Sequence, residues 1–278
     1  MFQRELSDDE VIEYCLSCDE SQLLGGGKYG NRIVRISDTQ VVKFGRGVSY
    51  YEAVNQQRAL EIVDPQIVKI PRVQRFFNDS DGWGYMVMEF IKGEILQSLT
   101  KSHIEKVAII LQHFSTITSN VAGSLSGGPS TGLLWPETND LIINSVSDIE
   151  DWFNSRLFPA QGLGQVTLQH CELVLCHLDI SPRNIIWQDD GTVYFLDWAS
   201  AGFYPRLLEF VSQWIVEGKD GAFHTMLLQA MAPLSEVDME QKAPICQALY
   251  NNQKYSLTLS TLLTRDWGYW VQSPIFLS

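Results

Sequence analysis

The chain has 278 residues, of which 45% are apolar and 19% charged, and its net charge is −13. That apolar share supplies a sizeable core and excludes a disordered chain, a coiled coil and a collagen-like repeat. The acidic balance argues against a nucleic-acid binder, which needs a basic face to displace counterions, and against docking on anionic lipid, but it leaves room for a nucleotide in a local basic pocket. No window approaches the roughly 18 uncharged apolar residues of a membrane span. The N-terminus lacks the basic flank and apolar stretch of a secretory signal, and five cysteines, an odd count, fit reduced thiols in a cytoplasmic protein.

Ser7 and Glu10 form a capping box that starts a helix running to about Cys18. After Leu23 and Leu24 come the glycines Gly25, Gly26, Gly27 and Gly30, and then Arg32 to Ile36, whose alternation of polar and apolar residues predicts a half-buried strand. Val41 to Phe44 resumes as a strand, residues 49–62 read as a helix, and Val73–Phe77 with Gly84–Phe90 read as a hairpin. The pattern changes after Lys92-Gly93. Residues 102–122 carry apolar side chains at helical spacing, and a Gly/Ser/Pro-rich loop follows to Gly132. Further helices are expected near 146–157, 204–217, 223–231 and 254–263, with one hairpin formed by 184–187 and 193–196. The chain therefore divides near residues 91–94 into a strand-rich part and a mostly helical part packed around one cleft.

The strongest chemical signal is Cys176-His177-Leu178-Asp179-Ile180-Ser181-Pro182-Arg183-Asn184, followed by Leu196-Asp197-Trp198. The pattern is H-x-D-x-x-x-x-N and then an Asp at the end of an apolar strand. Phosphoryl transfer needs an Asp to orient or deprotonate an attacking hydroxyl. It also needs hard oxygen ligands to hold Mg²⁺ against phosphate oxygens, a task suited to Asn184 and Asp197. The hairpin between Asn184 and Leu196 returns Asp197 to the catalytic loop. A lone buried His is usually a core residue, and His177 reads as a brace for this loop, not as a base.

These residues resemble the catalytic loop and metal aspartate of the aminoglycoside phosphotransferase and choline kinase-like family, and Asp197-Trp198-Ala199-Ser200-Ala201-Gly202-Phe203-Tyr204-Pro205 resembles the D-W-x-x-A-G-x-x-P run that follows that aspartate. The particular form is close to the fungal branch of that family. The resemblance covers roughly residues 20–215 and implies an α+β, bilobal protein-kinase-like fold. Residues 1–91 would form an N-lobe with an antiparallel sheet and a helix, and residues 92–278 a helical C-lobe holding the catalytic loop and acceptor site. It implies ATP and Mg²⁺ as cofactors, with Asp179, Asn184 and Asp197 as catalytic residues and the last two as metal ligands. Lys43 would contact the nucleotide phosphates, fixed by Glu52, although Glu61 lies on the same predicted helix. Gly25, Gly26, Gly27 and Gly30 would cover the phosphates, and Met88, Glu89, Phe90 and Ile91 would offer backbone hydrogen bonds to the base. The glycine stretch is neither a clean G-x-G-x-x-G nor a P-loop, and on its own reads equally as a hairpin turn.

Ser181 stands where protein kinases carry a Lys, and few residues separate Asp197 from the next predicted helix, too few for a peptide platform. Both departures point to a small-molecule hydroxyl acceptor. From Leu96 onward 9 basic residues face 18 acidic ones, which favours a cationic amino alcohol, amino sugar or secondary metabolite unless the charge is merely a solvated surface. Arg183 either contacts the acceptor or faces solvent. Cys15-x-x-Cys18 has no second pair and reads as structural. The competing functions are a non-catalytic kinase-like nucleotide binder or scaffold, and a kinase-like enzyme using ATP for another transfer. A monomer is favoured.

Overall fold

The computed structural model describes residues 5–27, 30–136, 140–158, 162–217 and 221–261, with side chains of the last helix described to Lys254. Ser7 caps α1 (Asp8–Ser17): its Oγ accepts from Glu10 N–H, and Glu10 Oε2 accepts from Ser7 N–H at 2.8 Å. Five antiparallel strands follow, β1 (Leu23–Gly26), β2 (Arg32–Arg35), β3 (Gln40–Gly45), β4 (Val73–Asn78) and β5 (Gly84–Glu89), in the sheet order β1-β2-β3-β5-β4. The central β3 is almost wholly buried. One face of the sheet packs Val34, Val42, Phe44, Tyr85 and Val87 against Val11 and Cys15 of α1. The other face packs Val41, Met86 and Met88 against Ala53 of α2 (Tyr50–Ile62), which Ser49 caps by accepting from Glu52 N–H.

The second lobe begins with α3 (Lys101–Phe114), capped by Thr100, and continues through β6 (Thr118–Ser119), β7 (Gly123–Ser124), α4 (Val146–Asn154), β8 (Leu173–Cys176), β9 (Ile185–Trp187), β10 (Val193–Phe195) and β11 (Gly202–Pro205). It ends in α5 (Leu207–Trp214), α6 (Phe223–Ala230), α7 (Glu236–Glu240) and α8 (Lys242–Thr261). β9 and β10 form a hairpin, and β6-β8-β11-β7 form a small sheet. The lobes are stitched by backbone bonds. Lys69 N–H donates to Val193 O at 2.9 Å and Phe195 N–H to Lys69 O at 3.0 Å, and just past the junction Glu94 and Trp187 of the second lobe exchange two bonds at 2.9 Å.

The helix expected over 102–122 stops at Phe114. Ser115 and Thr116 turn their hydroxyls back onto the carbonyls of Gln112 and His113, and Ile117 O accepts Leu175 N–H, which draws the next residues into the β8 sheet. Tyr204, expected to open a helix, lies in β11 because Gly202–Pro205 pairs with Cys176–Leu173; the helix starts at Leu207. The last helix starts at Lys242, well before the expected 254, and the remainder of that expectation, residues 262–263, lies outside the described residues. Strands β1, β6, β7, β8 and β11 and helix α7 had no counterpart in the sequence reading. Elements of two to five residues are too short to show a period. No helix among the described residues is long and apolar enough to cross a membrane.

Candidate active site

β8 delivers the chain from the buried Leu173–Cys176 run directly into the loop 177–184, and that loop is fixed from beneath. Glu209 of α5 is buried, and its Oε2 accepts His177 N–H at 2.7 Å and Leu178 N–H at 3.2 Å. Leu178 adopts φ 64°, a left-handed conformation that a non-glycine residue holds only when its surroundings enforce it. His177 Nε2 lies 3.0 Å from Leu196 O, and Nδ1 accepts Asp179 N–H at 3.3 Å. This pattern requires the neutral Nε2–H tautomer. Burial pushes the imidazole down to about 4, against the opposing Asp197 charge, so the ring is a neutral brace.

Asp179 sits at the tip of the loop. Asn184, at the end of a 3₁₀ turn led by Pro182, donates Nδ2–H to Asp179 O at 2.8 Å and to Oδ2 at 2.9 Å. Arg183 donates to Asp179 Oδ1 at 2.8 Å while its side chain stays 62% exposed to solvent. Burial raises the Asp179 carboxyl above the usual aspartate range, with Arg183 pulling the other way.

Lys43, buried on β3, spans the cleft. Its Nζ lies 2.5 Å from Glu52 Oε1 on α2 and 3.0 Å from Asp197 Oδ1 beyond β10. Glu61, the rival partner, pairs instead with Arg58 at the surface. Burial disfavours the Lys43 ammonium, but the two carboxylates outweigh it and hold the group charged. The same contact outweighs burial at Asp197 and holds that carboxyl below its ordinary value. Asp197 also takes a left-handed backbone, φ 62°. The hairpin returns it as expected, with Leu196 N–H bonded to Asn184 O at 2.9 Å.

The glycine stretch forms the turn from β1 to β2. Gly26 has φ +80°, and a Cβ there would lie 1.9 Å from Asn31 O, so only glycine fits. Lys28 and Tyr29 of this loop lie outside the described residues. At the lobe junction Met88 and Ile91 are buried, while Glu89 and Phe90 N–H donate at 2.9 Å to Arg72 O and Thr39 O.

Sequence reasoning missed two residues. One is Glu209. The other is Asn55, one turn after Glu52, fully buried with all its hydrogen-bonding groups used. Its Nδ2 donates to Trp198 O and Ala199 O at 3.1 and 3.0 Å, and its Oδ1 accepts from Ser124 Oγ and Ser126 N–H at 2.9 and 2.7 Å. It ties the helix carrying Glu52 to the segment after Asp197. A polar residue at a buried position of an otherwise readable helix was the available signal.

The fold is that of the bilobal protein-kinase-like phosphotransferases, with a charged cleft between a sheet lobe and a helical lobe. The sequence profile of the phosphotransferase enzyme family matches residues 21–241, and the chain belongs to that family. Among solved structures, a thermostable mutant of aminoglycoside phosphotransferase APH(4)-Ia in its apo form is similar at 14% identity and TM-score 0.59, over 91% of this chain and 92% of that one. Its ternary complex with AMP-PNP and hygromycin B matches at 14% identity and TM-score 0.58, over 92% and 93%. The GDP complex of aminoglycoside 2'-phosphotransferase-IIIa matches at 15% identity and TM-score 0.55, over 88% and 86%. No curated protein matches the sequence. The protein is thus a member of a family of phosphotransferase enzymes.

Proposed function

We propose that the chain transfers the γ-phosphoryl group of ATP to a hydroxyl of a small, cationic molecule, with Mg²⁺ as cofactor. The observation that carries this reading is Lys43, held charged between Glu52 and Asp197 across the cleft from Asp179. Lys43 positions the α/β-phosphates. Asp179 orients the acceptor hydroxyl and takes its proton as the oxygen bonds to the γ-phosphorus, and the β–γ bridging oxygen leaves with ADP. The donor set suits Mg²⁺: Asn184 uses its Nδ2 on Asp179 and keeps Oδ1 for a cation, and Asp197 contributes a carboxylate held ionised by Lys43. Bound there, the ion would neutralise charge on the phosphate oxygens.

Gly25, Gly26, Gly27 and Gly30 would cover the phosphates, and Met88, Glu89, Phe90 and Ile91 would border the base. Residues 1–91 serve as the nucleotide lobe and 92–278 as the acceptor lobe. AMP-PNP in one structural neighbour and GDP in another are both purine nucleotides, so ATP and GTP are the pair to compare. A cationic acceptor is supported by the acid excess of the second lobe, where 18 acidic residues face 9 basic ones from Leu96 onward, and by hygromycin B in a neighbour's complex. Five free cysteines support a reducing, cytoplasmic setting, and a monomer suffices for every role given.

The test is melting temperature with ATP, GTP and AMP, with and without Mg²⁺, followed by product analysis with hydroxyl acceptors. A nucleotide at 100 times its Kd adds about 2.7 kcal/mol, or roughly 5–10 °C at this size. A Mg²⁺-dependent shift with ATP and a phosphorylated acceptor are expected. Binding without turnover on any acceptor would support the non-catalytic binder, and ADP or AMP formed without a phosphorylated product would support another transfer.

A further inference from the structure

A second cluster lies at the opposite end of β8 from the catalytic loop. His170 and Cys171 sit in the turn before β8, and Asp238 sits in α7. Three of their atoms form a near-equilateral triangle: His170 Nε2 to Asp238 Oδ1 is 3.2 Å, Cys171 Sγ to Asp238 Oδ1 is 3.3 Å, and Cys171 Sγ to His170 Nε2 is 3.4 Å. A tetrahedral Zn²⁺ with bonds of about 2.0–2.3 Å to nitrogen, oxygen and sulfur has ligand–ligand edges of about 3.4–3.6 Å. Each observed edge is within about 0.3 Å of that.

The ligands are held from behind. Ser235 Oγ donates to the other Asp238 oxygen, Oδ2, at 2.7 Å, and accepts Asp238 N–H at 3.1 Å. The turn is anchored to α4 by Glu150, which accepts Leu168 N–H and, at 2.8 Å, Gln169 Nε2–H, and to the α7–α8 junction by Gln241, which accepts Thr167 N–H at 2.9 Å. Such outer partners fix the direction of metal ligands. His170 remains 39% exposed, so one side of the triangle is open to solvent.

We propose that His170 Nε2, Cys171 Sγ and Asp238 Oδ1 bind a zinc ion, with water in the fourth position. Imidazole, thiolate and carboxylate together match Zn²⁺ and are unsuited to Mg²⁺ or Ca²⁺. Binding exchanges the Cys171 thiol proton for the metal, and one thiolate with one carboxylate neutralise the ion's two charges. The ion ties the turn that leads into β8, and so into the catalytic loop, to α7. This site stands independently of the phosphotransfer reading.

Cobalt(II) is the probe, added to the full-length, metal-stripped chain without nucleotide. The expected result is one equivalent bound with a thiolate-to-cobalt charge-transfer band and intense tetrahedral d–d bands, displaced by Zn²⁺. A cobalt ion in the nucleotide cleft has only oxygen donors and gives no such band. Cys171→Ser and His170→Ala each abolish the band, while Cys18→Ser and Cys246→Ser leave it intact. Ser235→Ala, which keeps all three ligands, weakens binding about 10-fold, the scale of a lost outer partner. Absence of a saturable band in the unmodified chain, or a band that survives Cys171→Ser, overturns the proposal and leaves the trio as a hydrogen-bonded contact. Because the unmodified chain is itself decisive, a variant that fails to fold does not blunt the test.

Discussion

Lys43 and Arg183 each pair with a carboxylate of the cleft, and the two pairs are built differently. The Lys43 and Glu52 side chains are 9% and 2% exposed and come from a strand and a helix that must both be in place. The Arg183 and Asp179 side chains are 62% and 24% exposed and lie four residues apart in one loop. In the first pair water screens nothing, so each charge depends on the other. In the second, solvent competes throughout, and the pair can open at little cost. The Lys43 side of the cleft is thus fixed in advance, while Asp179 keeps its carboxylate under an exchangeable cover.

The comparison breaks most visibly at Asp179. Asp179→Asn keeps the side chain's shape and its contact with Asn184, so the protein should melt near the unaltered chain, while turnover falls by about 10²–10⁴, the scale of general-base loss. Steady-state phosphorylation of an identified acceptor measures it, and near-normal turnover would remove Asp179 from the mechanism.

Next in size is Lys43→Met. Removing one partner leaves Glu52 buried and uncompensated, at a cost of about 3–5 kcal/mol in urea unfolding. Adding Glu52→Gln to that variant should restore part of the loss, since the fully buried carboxylate is then neutral and only the part-exposed Asp197 lacks its partner. Equal losses in the single and double variants would mean that the pair is not coupled as the geometry implies.

The two sides of the cleft also differ in how far they could be read in advance. Asp179, Asn184 and Asp197 could be named in advance because phosphoryl transfer asks for those residue types at that spacing, with His177 as the brace of the same loop, and β3, α2 and the β4–β5 hairpin were each expected where they lie. Lys43 was readable only with the catalytic loop beside it, since an isolated strand Lys says little. Glu209 left no signal, and Asn55 only that of a polar residue on the buried side of a helix. Each acts on backbone groups distant in sequence, Glu209 on 177 and 178 and Asn55 on 198 and 199, and backbone leaves no mark in the residue pattern. The helix ends at Phe114 and Leu207 were hidden for a similar reason. Pairing with β8 overrides a helical spacing that runs on past 114.

Glu209 offers a smaller test of the fixed side, through pH. Burial lifts its carboxyl from the ordinary 4.5 to about 7, although two backbone N–H groups favour the anion. Its second oxygen, Oε1, is buried without a hydrogen bond among the described residues, and so is the oxygen left for the proton. The folded chain therefore binds more protons than the unfolded chain between these two values. This contribution is fully present below 4.5 and is lost as pH rises through 7, by up to about 3 kcal/mol. Urea unfolding across that window should show stability falling with pH in the unaltered chain, and a flatter profile in Glu209→Gln, which keeps an acceptor for His177 and Leu178. Identical profiles would place the Glu209 proton elsewhere.

The smallest effect belongs to the exposed pair. Arg183→Gln removes a guanidinium that is 62% exposed, so stability should change by no more than about 1 kcal/mol. High salt supplies the matching control. Screening at about 1 M shortens the Debye length to about 3 Å and should bring the unaltered chain and the variant together, while leaving the Lys43→Met deficit in place. Retention of the Arg183 difference in high salt, or a loss as large as that of Lys43→Met, would show that Arg183 holds Asp179 as rigidly as Lys43 holds Glu52. The acceptor would then have to displace a fixed partner before its hydroxyl could reach the base.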